Sequence, residues 1–125
     1  VLDPPFSLTA AFCRKGFPMK RVTIILGLDF DRSNTAIPSA EAEGAVQWIL
    51  QTAAKRFGGC TLIRTLGSWD SGSCVAVEHG LKVEIITPAE SLLLSIREFA
   101  EELRDLLRQQ SVGYVIESVP DVEFI

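Results

Sequence analysis

The chain has 125 residues and a formal net charge of -4, with 47% apolar and 22% charged residues. That size suits one domain with a single core, and that apolar share excludes a disordered chain. The negative balance argues against a nucleic-acid partner, whose phosphates call for a basic face, and no apolar run approaches the roughly 20 residues that a membrane-spanning helix needs.

Residues 1–18 have no helical period and carry three of the 6 prolines, so they read as an arm ahead of a single α+β domain over residues 19–125. A secretory leader puts basic residues first, whereas here Arg14, Lys15, Lys20 and Arg21 come last. The sole methionine, Met19, stands directly before the first strand, which marks the arm as an extension that need not belong to the natural protein. Phe6, Leu8, Phe12 and Phe17 are its apolar points for docking on a neighbouring subunit or a sheet edge.

Arg21 to Phe30 alternates with period two, placing Val22, Ile24, Leu26, Leu28 and Phe30 on one face of a first strand. A polar loop, Asp31-Arg32-Ser33-Asn34-Thr35, leads to Pro38 and to a helix with Ser39 as its N-cap and Glu41 and Glu43 in its first turn. Ala42, Ala45, Val46, Ile49, Ala53 and Phe57 form its buried stripe, and Gly58-Gly59 ends it. A β-hairpin follows, with arms Thr61–Leu66 and Val75–Ile86 around a Gly-, Ser- and Asp-rich tip centred near Ser71-Gly72. That centre sets Cys74 opposite Trp69 and His79 opposite Arg64, both of the latter on the helix-covered side unless a bulge at His79-Gly80 turns them to solvent. Thr87-Pro88-Ala89-Glu90 has the capping-box pattern that starts a helix running to about Gln110, with Leu92, Ile96, Phe99, Leu103 and Leu106 inward. Arg97–Glu101 and Glu101–Arg104 are spaced to pair on its outer face, and Ser111–Ser118 is the last strand, with a short tail strand after Pro120.

The order β-α-β-β-α-β predicts a ferredoxin-like fold, a four-stranded antiparallel sheet with two helices on one face. The other face then carries Ile25, Ile63, Thr65, Ile86 and Val115 beside Thr23, Lys82, Glu84 and Glu117. With nothing left to cover it, a homodimer or larger ring through this face or the sheet edges is expected. Three cysteines, Cys13, Cys60 and Cys74, form no C-x-x-C pair and read as free thiols in a reducing, cytoplasmic setting.

Four constellations carry chemistry in principle. Asp29 and Asp31 with Arg32 suit a solvated turn better than a metal or acid–base site, since no calcium-loop spacing accompanies them. Glu78 and His79 with Arg64 offer a general base beside a cation, the catalytic candidates of this chain. Cys13, Cys60, Cys74 and His79 match no compact zinc spacing, so neither a metal nor a cofactor is expected. Trp48, Trp69 and Tyr114 suit packing or interfaces better than the lining of an apolar pocket.

Phe57-Gly58-Gly59-Cys60-Thr61, Gly67-Ser68-Trp69, Glu78, Val83-Glu84-Ile85-Ile86 and Gln110-Ser111-Val112 together resemble a group of small uncharacterised bacterial and phage-associated proteins. In that group a Gly-Gly-x-Thr turn precedes a Gly-x-Trp hairpin, a Glu lies on the return arm, and a Gln-Glu-x-Val-like step enters the last strand. The match spans residues 57–118, and Ser111 replaces the usual acidic residue. The resemblance implies a ferredoxin-like fold, oligomerisation and, as binding positions, Trp69, Glu78 and Gln110. The expected function is a non-catalytic, homo-oligomeric domain that binds a small ligand or a protein, of the mobile-element or phage-accessory kind. The alternative is a cofactor-free enzyme with Glu78, His79 and Arg64 between sheet and helices.

Overall fold

The computed structural model describes residues 19–87 and 93–120. Its elements are β1 (Met19–Gly27), α1 (Ser39–Phe57), β2 (Thr61–Asp70), β3 (Val75–Thr87), α2 (Leu93–Leu106) and β4 (Gly113–Val119). The strands form one antiparallel sheet in the order β2-β3-β1-β4, the ferredoxin-like arrangement that the element order predicts. The arm over residues 1–18, with Cys13, and the tail after Pro120 lie outside the described residues.

The core sits between the helices and one sheet face. Val22, Ile24 and Leu26 of β1 meet Leu81, Val83 and Ile85 of β3, and Ile49, Ala53 and Phe57 of α1 and Ile96, Phe99 and Leu103 of α2 close over them. Period-two alternation puts every second strand residue inward, and burying these branched side chains is worth about 1.5–3 kcal/mol each. Trp48 stacks on Phe99 at 5.7 Å between ring centroids and Phe57 meets Phe99 edge-on at 5.4 Å, so the aromatic pairs join the two helices.

Several expected details shift. β1 stops at Gly27, and Phe30 lies beyond it in an isolated bridge to Ala36, 46% exposed. Pro38, not Ser39, is the N-cap of α1, with no side-chain cap bond, while Gly58 at φ 88 ends the helix in the left-handed conformation as expected. At the end of α2 Leu106, expected inward, is 39% exposed, and the buried leucine is Leu107, the first residue past the helix, whose N–H still donates to Leu103 O at 3.2 Å. Arg97 does pair with Glu101 at 3.2 Å, but Arg104 pairs with Asp105 instead of Glu101. β4 begins at Gly113, two residues later than expected. Thr87 is buried at the end of β3, and its capping-box partners Pro88 and Glu90 lie outside the described residues, as does Leu92.

The hairpin register is set two residues away from the expected one. Asp70 pairs with Val75, so Trp69 faces Ala76 rather than Cys74, and Arg64 faces Leu81 rather than His79. The four-residue loop Ser71–Cys74 closes through Ser71 N–H to Cys74 O at 2.9 Å, and Gly72 takes φ 92 there. A two-residue shift leaves every side chain on its expected face. No bulge interrupts the ladder at His79-Gly80; His79 and Arg64 reach solvent from regular pairs.

β1 accompanies β3 only as far as the Gly27–Gly80 pair, with one further bond from Leu28 N–H to His79 O. Beyond it the β2–β3 hairpin projects as a two-stranded ribbon, Leu66–Asp70 against Val75–His79.

Candidate functional site

The end of the sheet where β1 stops is bordered by three segments that are far apart in sequence. The loop after β1 brings Phe30, Asp31, Arg32 and Asn34; the projecting hairpin brings Trp69 and Glu78; the turn from α2 to β4 brings Gln109 and Gln110. Together they line an open cleft of about 520 Å³, within the range of small-molecule sites. Trp69, Glu78 and Gln110, the binding positions expected from the sequence, meet here.

Two of the lining side chains, Glu78 and Gln109, come together over Gly27 of β1. A Cβ at this position would overlap Oε1 of Glu78, at 2.8 Å from its Cδ, and would stand 3.2 Å from Oε1 of Gln109. The Glu78 carboxylate and the Gln109 carboxamide oxygen therefore converge on the same point above the β1 backbone. The direction of the Gln109 amide is fixed by its nitrogen, which donates to Phe30 O at 2.9 Å and to Leu107 O at 3.2 Å. Gln109 is only 8% exposed, and its oxygen is left facing the cleft. Glu78, half-buried, has no hydrogen-bond or ion-pair partner among the described residues. Two acceptors thus meet with no donor between them, an arrangement that calls for a cationic or N–H-bearing group.

The cleft wall is tied down by an ion-pair cluster. Asp31, with its side chain 8% exposed, accepts from Ser33 N–H at 2.9 Å and Thr35 N–H at 3.0 Å through Oδ1, and from Arg108 Nε at 3.3 Å through Oδ2. The Arg108 guanidinium also grips both oxygens of Glu41 in the first turn of α1. The Thr35 backbone bond, with Ser33 and Arg108 behind it, holds the Asp31 carboxyl below its ordinary range, and the Arg108 hydrogen bond does the same for Glu41.

His79 and Arg64 lie elsewhere. They line a second hollow of about 310 Å³, with Asp29, Glu43, Ser39 and Thr65, against the helix side. His79 Nδ1 stands 3.1 Å from Asp29 Oδ2, which also accepts the His79 N–H at 2.7 Å, and Arg64 pairs with Glu43 at 3.4 Å. Adjacent residues of a strand point to opposite faces, so Glu78 and His79 serve different hollows and the trio of Glu78, His79 and Arg64 does not converge.

Gln109 escaped the sequence reading because it falls in the last turn of the amphipathic helix read to about Gln110. The signal that marks it is a pair of consecutive glutamines, Gln109-Gln110, directly after the final buried leucine. Among the described residues no cluster of three metal-ligating side chains occurs, and Cys60 and Cys74 are free, with burial pushing the Cys60 thiol up.

No family model matches the chain, and no curated protein matches it. Solved structures do. A phage SAM lyase in complex with S-methyl-5'-thioadenosine is similar at 18% identity and a TM-score of 0.60, over 83% of this chain and 84% of the other. The apo state of a phage SAM lyase gives 19% and 0.62, over 84% of each chain. CutA from Synechococcus elongatus gives 7% and 0.52, over 85% of this chain and 80% of that one. At these identities the likeness establishes the shared fold.

Proposed function

We propose that the Glu78 cleft binds S-adenosylmethionine and that the protein cleaves it as a lyase, with S-methyl-5'-thioadenosine as the leaving group. The observation that carries this reading is the convergence of the unpartnered Glu78 carboxylate and the Gln109 oxygen above Gly27, beside the exposed rings of Trp69 and Phe30. S-Adenosylmethionine presents a sulfonium and an ammonium to such acceptors and a flat purine to such rings. The fold shared with a phage SAM lyase, one form of which holds S-methyl-5'-thioadenosine, supports the choice of ligand.

Charge development decides which cation Glu78 holds. As the bond between sulfur and the methionine Cγ breaks, sulfur takes the bonding pair and its positive charge disappears. A carboxylate against sulfur would then favour the substrate over the transition state and slow the reaction. The α-ammonium keeps its charge throughout, so Glu78 and Gln109 are matched to it. Anchored there, the substrate's own carboxylate can attack Cγ and close a lactone as the thioether departs, so that every atom of the substrate is accounted for in the two products.

We also propose that the protein works as a homo-oligomer. An isolated two-stranded ribbon is marginal in water, yet the projecting hairpin is apolar on both faces: Leu66 at 67%, Val75 at 69% and Val77 at 59% exposure on one, Trp69 at 55% on the other. A second copy seated on it would cover these residues and close the cleft that Trp69 borders. Among the described residues no helix is long and apolar enough to cross a membrane. A cytoplasmic, phage-associated role fits the proposed substrate and the free thiols of Cys60 and Cys74.

The test is to incubate the purified protein with S-adenosylmethionine and follow S-methyl-5'-thioadenosine by chromatography. Wild type is expected to form it and Glu78→Gln to lose at least about tenfold in kcat/KM. A stabilising thermal shift without product would leave a non-catalytic ligand-binding domain, and neither shift nor product would overturn the reading.

A further inference from the structure

The Gln109 nitrogen is held by Leu107 O within its own turn and by Phe30 O from the loop after β1, a loop that no strand ladder extends through. Arg108 is the group that fixes this loop against Gln109. Its backbone carbonyl accepts from Arg32 N–H at 2.7 Å, its Nε donates to Asp31, and its guanidinium spans to Glu41 on α1. One residue thus connects the β1–α1 loop, the start of α1 and the turn that carries Gln109.

Stability alone does not account for an arginine here. Arg108 adopts φ 50, a left-handed conformation that costs a residue with a Cβ roughly 1–2 kcal/mol and that glycine or asparagine takes more readily. Its side chain is 40% exposed, and of its two partners Glu41 is 34% exposed and Asp31 8%, so only the Asp31 pair is shielded from solvent. What glycine would lack is the two-pronged grip on Glu41 together with the bond to Asp31, the features that fix where the neighbouring loop sits.

We infer that Arg108 is a positioning residue for the cleft: it holds the Phe30–Asp31 loop against the α2–β4 turn and thereby sets the direction of the Gln109 carboxamide that, with Glu78, receives the ligand. The inference rests on the reading of this cleft as a ligand site, but it also makes a statement about the free protein. In Arg108→Met the side-chain amide protons of Gln109, followed by NMR without any ligand, are expected to exchange at least about tenfold faster than in wild type, while the fold is retained. Unchanged protection in the folded variant would overturn the inference whether or not the protein acts on S-adenosylmethionine.

The second measurement is a double-mutant cycle on S-adenosylmethionine cleavage. Arg108→Met is expected to lower kcat/KM at least about tenfold in the native background and to have no further effect in a Gln109→Ala background, although its effect on melting temperature stays the same in both. Additive losses in kcat/KM would assign Arg108 a role unrelated to Gln109 and overturn the inference. If wild type forms no product, the proposed activity fails and the exchange measurement alone decides this point. Should Arg108→Met not fold, Arg108→Lys, which keeps the charge without the two-pronged grip, carries the same measurements.

Discussion

Gly27 of β1 and Gly80 of β3 are partners across the sheet, and a side chain is excluded at each by a different neighbour. At Gly80 an added Cβ would stand 2.5 Å from the backbone oxygen of Leu26, whereas at Gly27 it would displace the movable end of Glu78. Gly80→Ala is therefore expected to cost about 1–3 kcal/mol, read from urea unfolding, because the backbone of β1 must shift. Gly27→Ala is expected to change stability by less than about 1 kcal/mol yet to abolish the proposed ligand binding in the cleft, since the Glu78 carboxylate has to leave its place. Loss of stability in the second variant equal to the first would show that the Glu78 contact is not the one that yields.

The Asp31–Arg108–Glu41 cluster gives stability a pH dependence of known sign. Both carboxyls are held below their ordinary values in the folded protein, Asp31 by backbone bonds from Thr35 and Ser33 with Arg108, Glu41 by Arg108. Their contribution is complete above the unfolded-state values of about 3.9 and 4.3 and is lost as pH falls through the lower folded-state ones. Thermal melts of wild type and Asp31→Asn are expected to differ most at neutral pH and to converge on acidification below about pH 4. A difference that grows as pH falls would contradict the direction of these shifts.

The phase of α2 is testable at two adjacent leucines. Leu107 is fully buried and Leu106 is 39% exposed, so Leu107→Ala is expected to cost about 2–5 kcal/mol and Leu106→Ala under about 1 kcal/mol. Denaturant titration of the two variants checks this, and equal costs would mean that the last turn of the helix is rotated.

His79 belongs to the hollow with Asp29 and Arg64, away from Glu78. His79→Ala is accordingly expected to leave the proposed S-adenosylmethionine cleavage within about twofold of wild type. A loss as large as that of Glu78→Gln would restore the general-base reading of His79.

The apolar ribbon gives the proposed homo-oligomer a specific handle. Replacing Leu66 and Val77, which flank the register on one exposed face, by serine is expected to lower the mass measured by sedimentation to that of one chain. An unchanged mass would place the association on another surface.

Fold and core were legible because they follow from local periodicity. The even-numbered residues of β1 and the Ala45–Phe57 stripe of α1 announce their faces within a few residues, and the two-residue error in the hairpin register was harmless because side chains repeat their facing every second position. Trp69, Glu78 and Gln110 were named from the resemblance as binding positions, but as separate points. Only the strand order β2-β3-β1-β4, which stops β1 short of the hairpin and sets the α2–β4 turn beside it, brings them to one cleft and sends His79 to another. Gln109 and Arg108 depend wholly on that assembly, since a buried amide aimed by a distant carbonyl, and an arginine spanning two carboxylates far away in the chain, leave no periodic trace in the residues around them.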